Sequence, residues 1–486
     1  MYTLLISIAL LVLGYLFYGK LVDRVFAPDP ERTTPAYRLS DGVDFIPMPT
    51  WKVFMIQFLN IAGTGPIFGA ILGAKFGPAC YIWIVLGCIF GGAVHDYLSG
   101  MISIRHNGAG LPSIIGYYLG NRTKSVMQIF SVFLLVMVGA VFIYSPAVIL
   151  GGMTGSGQPS DVMFWVLVVT AYYVIATLVP IDKIIGKIYP LFAFALIFMA
   201  LSLFVCLLLK WPADTVPEIW DGLENRSPSA GSIFPCMFIS IACGAISGFH
   251  ATQSPLMARC LKKETLGRPV FYGAMIVEGL IALIWATISS YFFYGGGNVE
   301  MGAESVSAAP AVVNVVSKEW LGTFGSILAL LGVVAAPITS GDTSLRAARM
   351  IVAEAFKIDQ RSVHKRLAVA IPLFICTAGL LWFNISDADG FDVIWRYFGW
   401  ANQTLSIFTF WALTVFLYSE RAGYSYLITL FPACFMTSVC LTFISTAKIG
   451  LNIPAVATPY IGIGVFVLSL VLFLLAKRKL VRRVPA

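Results

Sequence analysis

The apolar run from Val53 to Ala74 is long enough, at about 1.5 Å per residue, to cross a bilayer, yet its centre cannot hold a regular helix. That centre reads Ala62-Gly63-Thr64-Gly65-Pro66. Two glycines weaken the turn, and Pro66 lacks an N–H and clashes with the carbonyl four residues back. Non-helical backbone at membrane depth is tolerated only where it lines a cavity or is buried in protein. For one such run alone, a packing kink and a cavity-lining break are both open readings. A second run, Phe238 to His250, repeats the Phe-x-x-Ile-Ala pattern of Phe58 to Ala62 and again places glycines mid-span. Paired, glycine- or proline-interrupted apolar segments in two halves of a chain point to a transporter site.

The other apolar runs set the context. The chain is 58% hydrophobic and 12% charged, with a mean hydropathy of +0.86, the composition of a polytopic helical membrane protein. Thirteen spans are read at 2–20, 53–74, 78–102, 126–150, 161–180, 189–209, 233–257, 270–294, 321–345, 367–385, 393–418, 424–446 and 457–476. The first begins without a basic leader or a cleavage site and reads as an uncleaved span. With the N-terminus outside, 26 of the 32 Lys and Arg fall in inside loops and 5 in outside loops, Arg396 lying within a span. The positive-inside rule therefore puts the N-terminus outside and the C-terminus in the cytoplasm. This loop distribution accounts for the net charge of +8 and argues against nucleic acid as a partner.

In that orientation the two interrupted spans run in opposite directions, five spans apart. The expected architecture is all-α: a five-plus-five inverted repeat with one extra N-terminal helix and two extra C-terminal ones. It divides the chain into 1–52, a first repeat at 53–209, a second at 233–418, and 419–486. Gly110 to Leu119 reads as a short cytoplasmic amphipathic helix, and Ser305 to Trp320 as an extracellular re-entrant or surface helix. No loop is long enough for a soluble catalytic domain.

Ionisable groups inside spans are functional candidates. Here they are His95, Asp96, His250, Glu278 and Asp342, all placed in the inner third of the membrane. A carboxylate–histidine cluster at that depth can relay protons, and these five are the expected proton-coupling residues. The competing reading is mutual structural capping, strongest for Asp342, which has Arg346 and Arg349 one and two turns away. Glu278, with no basic neighbour in sequence, is the sharper candidate. Thr339, Ser340, Thr343 and Ser344 share a helical face; with carbonyls near Ala62 and Gly65 they would cage a small hard cation such as sodium. Alternatively they bond back to their own helix. A substrate carboxylate would lie on backbone N–H groups opened at Gly63, Thr64 and Gly65, beside Asn60, and across from Cys243, Gly244, Ser247 and Gly248. Asn402 and Gln403 follow an aromatic stretch, Trp395 to Trp400, that reads as an interfacial belt, and are either helix glue or substrate contacts. The nine cysteines show no metal-ligand or disulfide spacing, and no cofactor is expected.

These motifs carry a resemblance. Ile61 to Pro66, Gly92-Ala-Val-His-Asp96, Ile241-Ala-Cys-Gly-Ala-Ile-Ser-Gly-Phe-His250, Asp342-Thr-Ser-Leu-Arg346 with Arg349, and Phe398 to Gln403 resemble, in order, the signatures of the carbon starvation protein A family. The match spans most of residues 45–405. It implies an inner-membrane secondary transporter of peptides or pyruvate, akin to the five-plus-five transporters of amino acids, polyamines and organocations. Long members have more spans, so this chain is a short form. After His250 it reads Ala-Thr-Gln-Ser-Pro-Leu-Met, where many members carry a Ser/Gly/Thr-rich turn before a lysine. The expectation is an ion-coupled importer of a small carboxylate or short peptide, driven by protons or sodium. An uncoupled channel and a nutrient sensor are the alternatives, and no catalytic constellation supports an enzyme.

Overall fold

A computed structural model describes the chain except for residues 42–44, 156–157, 179–184, 213–214, 227–230, 295–307, 359–361, 388–389, 422, 449 and 482–486. Among the described residues every regular element is a helix. In chain order these are α1 (Tyr2–Phe26), α2 (Thr50–Ile61), α3 (Gly65–Ala74), α4 (Ala79–Arg105), α5 (Leu111–Leu119), α6 (Asn121–Thr154), α7 (Pro159–Leu178) and α8 (Ile185–Lys210). Then follow α9 (His250–Ala258), α10 (Glu264–Tyr294), α11 (Ala308–Ala355), α12 (Val363–Ser386), α13 (Gly390–Glu420), α14 (Leu427–Thr446) and α15 (Thr458–Val481).

Nine helices among the described residues are long and apolar enough to cross a membrane, ten when α2 and α3 count as one bent span. The chain is a multi-pass membrane protein. Each stretch read from the sequence as a span carries helix. α4 and α10 are buried on nearly all sides, whereas α1, α7, α8, α12 and α15 turn apolar side chains outward. Lipid tolerates that arrangement and water does not.

Both interruptions are present. α2 and α3 bend by 48° across Ala62 to Thr64. The second run starts with a short helical turn, Phe238–Ser240, leaves helical geometry, and resumes as α9 at His250. Gly244 in the gap has φ +89°, a left-handed conformation that glycine adopts without a Cβ penalty. A wider π-helical turn in α4, Gly87–Gly92, receives this gap: a Cβ on Gly92 would sit 2.2 Å from the Ala245 carbonyl oxygen. Close approach of unwound backbone to α4 therefore requires glycine there, and it sets the gap beside His95 and Asp96, one turn on.

One local expectation changes. Trp395 and Phe398 do not form an interfacial belt. They are buried, in ring contact with each other and with Phe68 and Phe142, because α13 packs along α6 and reaches Phe68 of the first broken helix. The described part of Ser305 to Trp320, from residue 308, is helical and is set off from the span that follows by non-helical backbone at Gly322 (φ 62°, ψ −166°), so α11 joins two helices across a kink. Gly110 to Leu119 is helical as expected, as α5.

Candidate functional site

The second break is capped in part by side chains, with no hydrogen bond reaching the N–H groups of Ala242, Cys243, Ala245 or Ser247 among the described residues. Glu278 Oε1 accepts from Gly244 N–H at 3.2 Å. Asn402 supplies both of its oxygens: the backbone carbonyl accepts from Gly248 N–H at 3.2 Å, and Oδ1 accepts from Phe249 N–H at 2.7 Å. Its Nδ2 donates to Ser247 Oγ at 3.0 Å and lies 3.8 Å from Cys243 Sγ, which is itself 3.6 Å from Ser247 Oγ. Gln403 Nε2 donates to the Phe238 carbonyl at 3.0 Å. Asn402 and Gln403 thus cap orphaned backbone groups of the broken helix, while Gln403 Oε1 stays buried without a partner.

The first break is not satisfied in this way. Ala62 N–H still bonds to Phe58, and Ile67 and Phe68 N–H to Thr64. Among the described residues no hydrogen bond reaches the N–H groups of Gly63, Thr64 or Gly65. Thr64 Oγ1 and Asn60 Oδ1 are buried and without a partner. Asn60 also lines a cavity of about 400 Å³ between α2, α5, α9 and α11, with Lys52, Arg259, Thr343, Arg346 and Glu354 on its walls. Three cations face one carboxylate there, and Lys124 holds that carboxylate at 2.8 Å. Unpaired N–H groups at a helix start, beside a cationic cavity, favour an anion.

Four of the five intramembrane ionisable residues meet, each with no exposed surface. His95 Nδ1 lies 2.9 Å from Asp96 Oδ1, and His250 Nδ1 lies 2.9 Å from Asp96 Oδ2. His250 Nε2 faces Glu278 Oε2 at 3.6 Å. Three elements supply them: α4, the start of α9, and α10. Asp342 pairs instead with Arg346 of its own helix at 3.8 Å, and Arg346 also donates to the Ala176 carbonyl at 2.7 Å.

Cys243, His250 and Glu278 bring a sulfur, an imidazole nitrogen and a carboxylate oxygen within 4.8 Å of one another, a donor set of the kind that suits a soft divalent ion. A proton between His250 and Glu278 accounts for the same geometry without one. The hydroxyl face divides. Ser340 Oγ reaches across to the carbonyls of Leu59 and Asn60, at 3.3 and 3.4 Å. Thr339, Thr343 and Ser344 bond to carbonyls of their own helix.

Lys52, Arg259 and Arg346 were legible only as loop and helix-end cations; nothing in their spacing places them around one cavity. Asn402 was legible as a buried amide needing partners, but its partners lie about 155 residues earlier.

A family profile described as "Carbon starvation protein CstA" matches residues 1–151, 153–309 and 298–443. An uncharacterized membrane protein of Haemophilus influenzae is 42% identical over 332 residues, covering 59% of this chain and 90% of that protein. The peptide transporter CstA of Campylobacter jejuni is 29% identical over 377 residues, 65% of this chain and 53% of that protein. The pyruvate/proton symporter BtsT of Escherichia coli is 25% identical over 339 residues, 57% of this chain and 47% of that protein. The chain thus spans about half the length of these two named transporters. A crystal structure of the Eremococcus coleocola manganese transporter superposes with a TM-score of 0.60 at 13% identity, over 92% of this chain and 99% of that one. At that identity the likeness is one of fold alone.

Proposed function

The chain belongs to the carbon starvation protein CstA family, and from that premise we propose that it is a proton-coupled secondary importer of small carboxylates or short peptides. The observation that carries this reading is a first break with buried, unpartnered polar groups beside a second break that side chains tie into a buried carboxylate–histidine network. Unpaired N–H groups at Gly63 to Gly65, next to a cationic cavity, suit a substrate carboxylate. The second break is capped by Asn402 and tied through Glu278 to the buried His95–Asp96–His250 network.

The coupling residues in this reading are His95, Asp96, His250 and Glu278, with Asp342 as a more distant gate. Glu278 is the first choice for carrier because it joins the broken backbone to the network: a change in its protonation alters its hold on Gly244 N–H. Alternating access then follows from movement of the two broken helices, within thirteen crossings arranged as inverted repeats over 53–209 and 233–418, N-terminus outside, in the inner membrane. Opposed interruptions that touch at Gly65 and Cys243 support that arrangement. The name of the E. coli symporter supports protons over sodium, and so does the inward bonding of three of the four hydroxyls.

Uptake of labelled pyruvate and of dipeptides into proteoliposomes, under separately imposed proton and sodium gradients, tests the reading. Saturable accumulation driven by the proton gradient is expected. Unsaturable flux that ignores both gradients would make the protein a channel.

A further inference from the structure

We propose that Asp96 is a positioning residue rather than the proton carrier. It fixes the tautomers of two histidines, so that the transported proton is shared between His250 Nε2 and Glu278 Oε2. The inference rests on the proton-coupled reading and refines it.

An ionised carboxylate only accepts hydrogen bonds. Asp96 offers one oxygen to each of two imidazoles, at 2.9 Å in both cases. Both Nδ1 atoms must then carry hydrogen, and a neutral imidazole of that form has its lone pair on Nε2. For His95 the lone pair points into a dry setting, its ring packed 5.2 Å from that of Phe410 and its Nε2 without a partner. For His250 the lone pair points at Glu278 Oε2, 3.6 Å away, and neither atom has another nitrogen or oxygen partner, the weakly donating thiol of Cys243 being the third group within 4.8 Å. Lone pair against lone pair is repulsive in a water-free interior. One proton between them turns the contact into a charge-assisted pair.

The surroundings leave that proton no better place. Protonating Asp96 would turn one of its oxygens into a donor and forfeit one of two charge-assisted bonds. The remaining oxygen of Glu278 already accepts from Gly244 N–H. The titratable groups that face the cluster are Cys88 from the π-helical turn, Cys243 from the second break, and the four residues themselves. α13 contributes the ring of Phe410. The proton therefore moves between a nitrogen on α9 and an oxygen on α10, and its departure leaves Glu278 repelled by His250 and held by Gly244.

The chain has four histidines, so nitrogen NMR of ¹⁵N-imidazole-labelled protein can assign tautomers with two single-histidine variants. At high pH, His95 and His250 are expected to carry hydrogen on Nδ1 and none on Nε2. A bare Nδ1 on His250 would overturn the inference, whether or not transport is proton-driven. In proteoliposomes, Asp96→Leu removes the acceptor from both imidazoles, so His250 is free to carry its hydrogen on Nε2 and already satisfy Glu278. The pH midpoint of proton-driven uptake should move to lower pH by at least about tenfold in proton concentration. An unchanged midpoint, or loss of accumulation at every pH as for Glu278→Gln, would also overturn it. Retained accumulation in Glu278→Gln would instead sink the coupling reading and leave the tautomer result standing.

Discussion

Gly65 and Cys243 are in contact where the two broken helices meet: a β-carbon built on Gly65 would lie 2.2 Å from Cys243 Sγ and 2.3 Å from its Cβ. No rotamer change of Cys243 relieves a clash with its Cβ, so any side chain at 65 forces the breaks apart. Overpacking of this kind costs about 1–3 kcal/mol. Gly65→Ala should lower initial uptake rates by roughly tenfold or more at equal membrane abundance, and Gly65→Ala/Cys243→Gly should recover most of the loss. A double variant no better than the single one would show that the contact is incidental.

Glu278→Gln keeps shape and one acceptor but cannot exchange a proton. It should abolish accumulation under a proton gradient while allowing substrate-for-substrate exchange, which moves no net proton. Counterflow in proteoliposomes separates the two, and concentrative uptake by this variant would remove Glu278 as carrier.

Asn402→Ala strips the acceptor from Phe249 N–H and the donor from Ser247 Oγ. A buried N–H left unmet costs about 1–3 kcal/mol, so the thermal midpoint in detergent should fall by several degrees. Asn402→Asp retains the Phe249 bond and should fall less. Equal effects of the two would mean that the cap is not what Asn402 contributes.

Sodium should be dispensable. Ser340 is the hydroxyl that crosses to the first broken helix, so Ser340→Ala is the variant most able to expose a sodium site. Uptake is expected to be the same in sodium and potassium media for the wild type, and Ser340→Ala to leave that equality intact. Sodium-dependent uptake lost in Ser340→Ala would restore the cation site.

His106, outside the spans, gives a pH effect separate from transport. Burial pushes its pKa below the ordinary histidine value, with Glu420 opposing, and its Nε2 lies 2.8 Å from Tyr118 Oη. The folded state therefore prefers neutral imidazole. Its contribution to stability is complete above the unfolded value, near 6.5, and declines as pH falls below it. The thermal midpoint should drop between pH 7.5 and 5.5, and less so in His106→Gln. An identical drop in the variant would assign the pH sensitivity elsewhere.

The sequence alone determined that the chain is a series of apolar helices, where both interruptions fall, and the short list of buried ionisable groups, because each is a local property. Apolar length sets what can cross a bilayer. Gly63 and Gly65 weaken a continuous helix and Pro66 cannot donate the bond that would carry it through, so a break or a new helix start is expected there, and a charge such as Glu278 is conspicuous in any apolar run. Only the tertiary structure decided which of these residues meet. Asp96 and His250 are 154 positions apart, and no periodicity relates them. The divided roles of the breaks depend on Asn402 arriving from α13 to cap N–H groups of one, while at the other Ser340 reaches only carbonyls. The cationic cavity likewise assembles Lys52, Arg259 and Arg346 from three elements, and each of them in sequence is simply a charge at a helix end. Span and break follow from the free energy of single segments in lipid. Partnership follows from packing between segments, where a glycine at 65 or 92 permits an approach that its own neighbours in the chain do not encode.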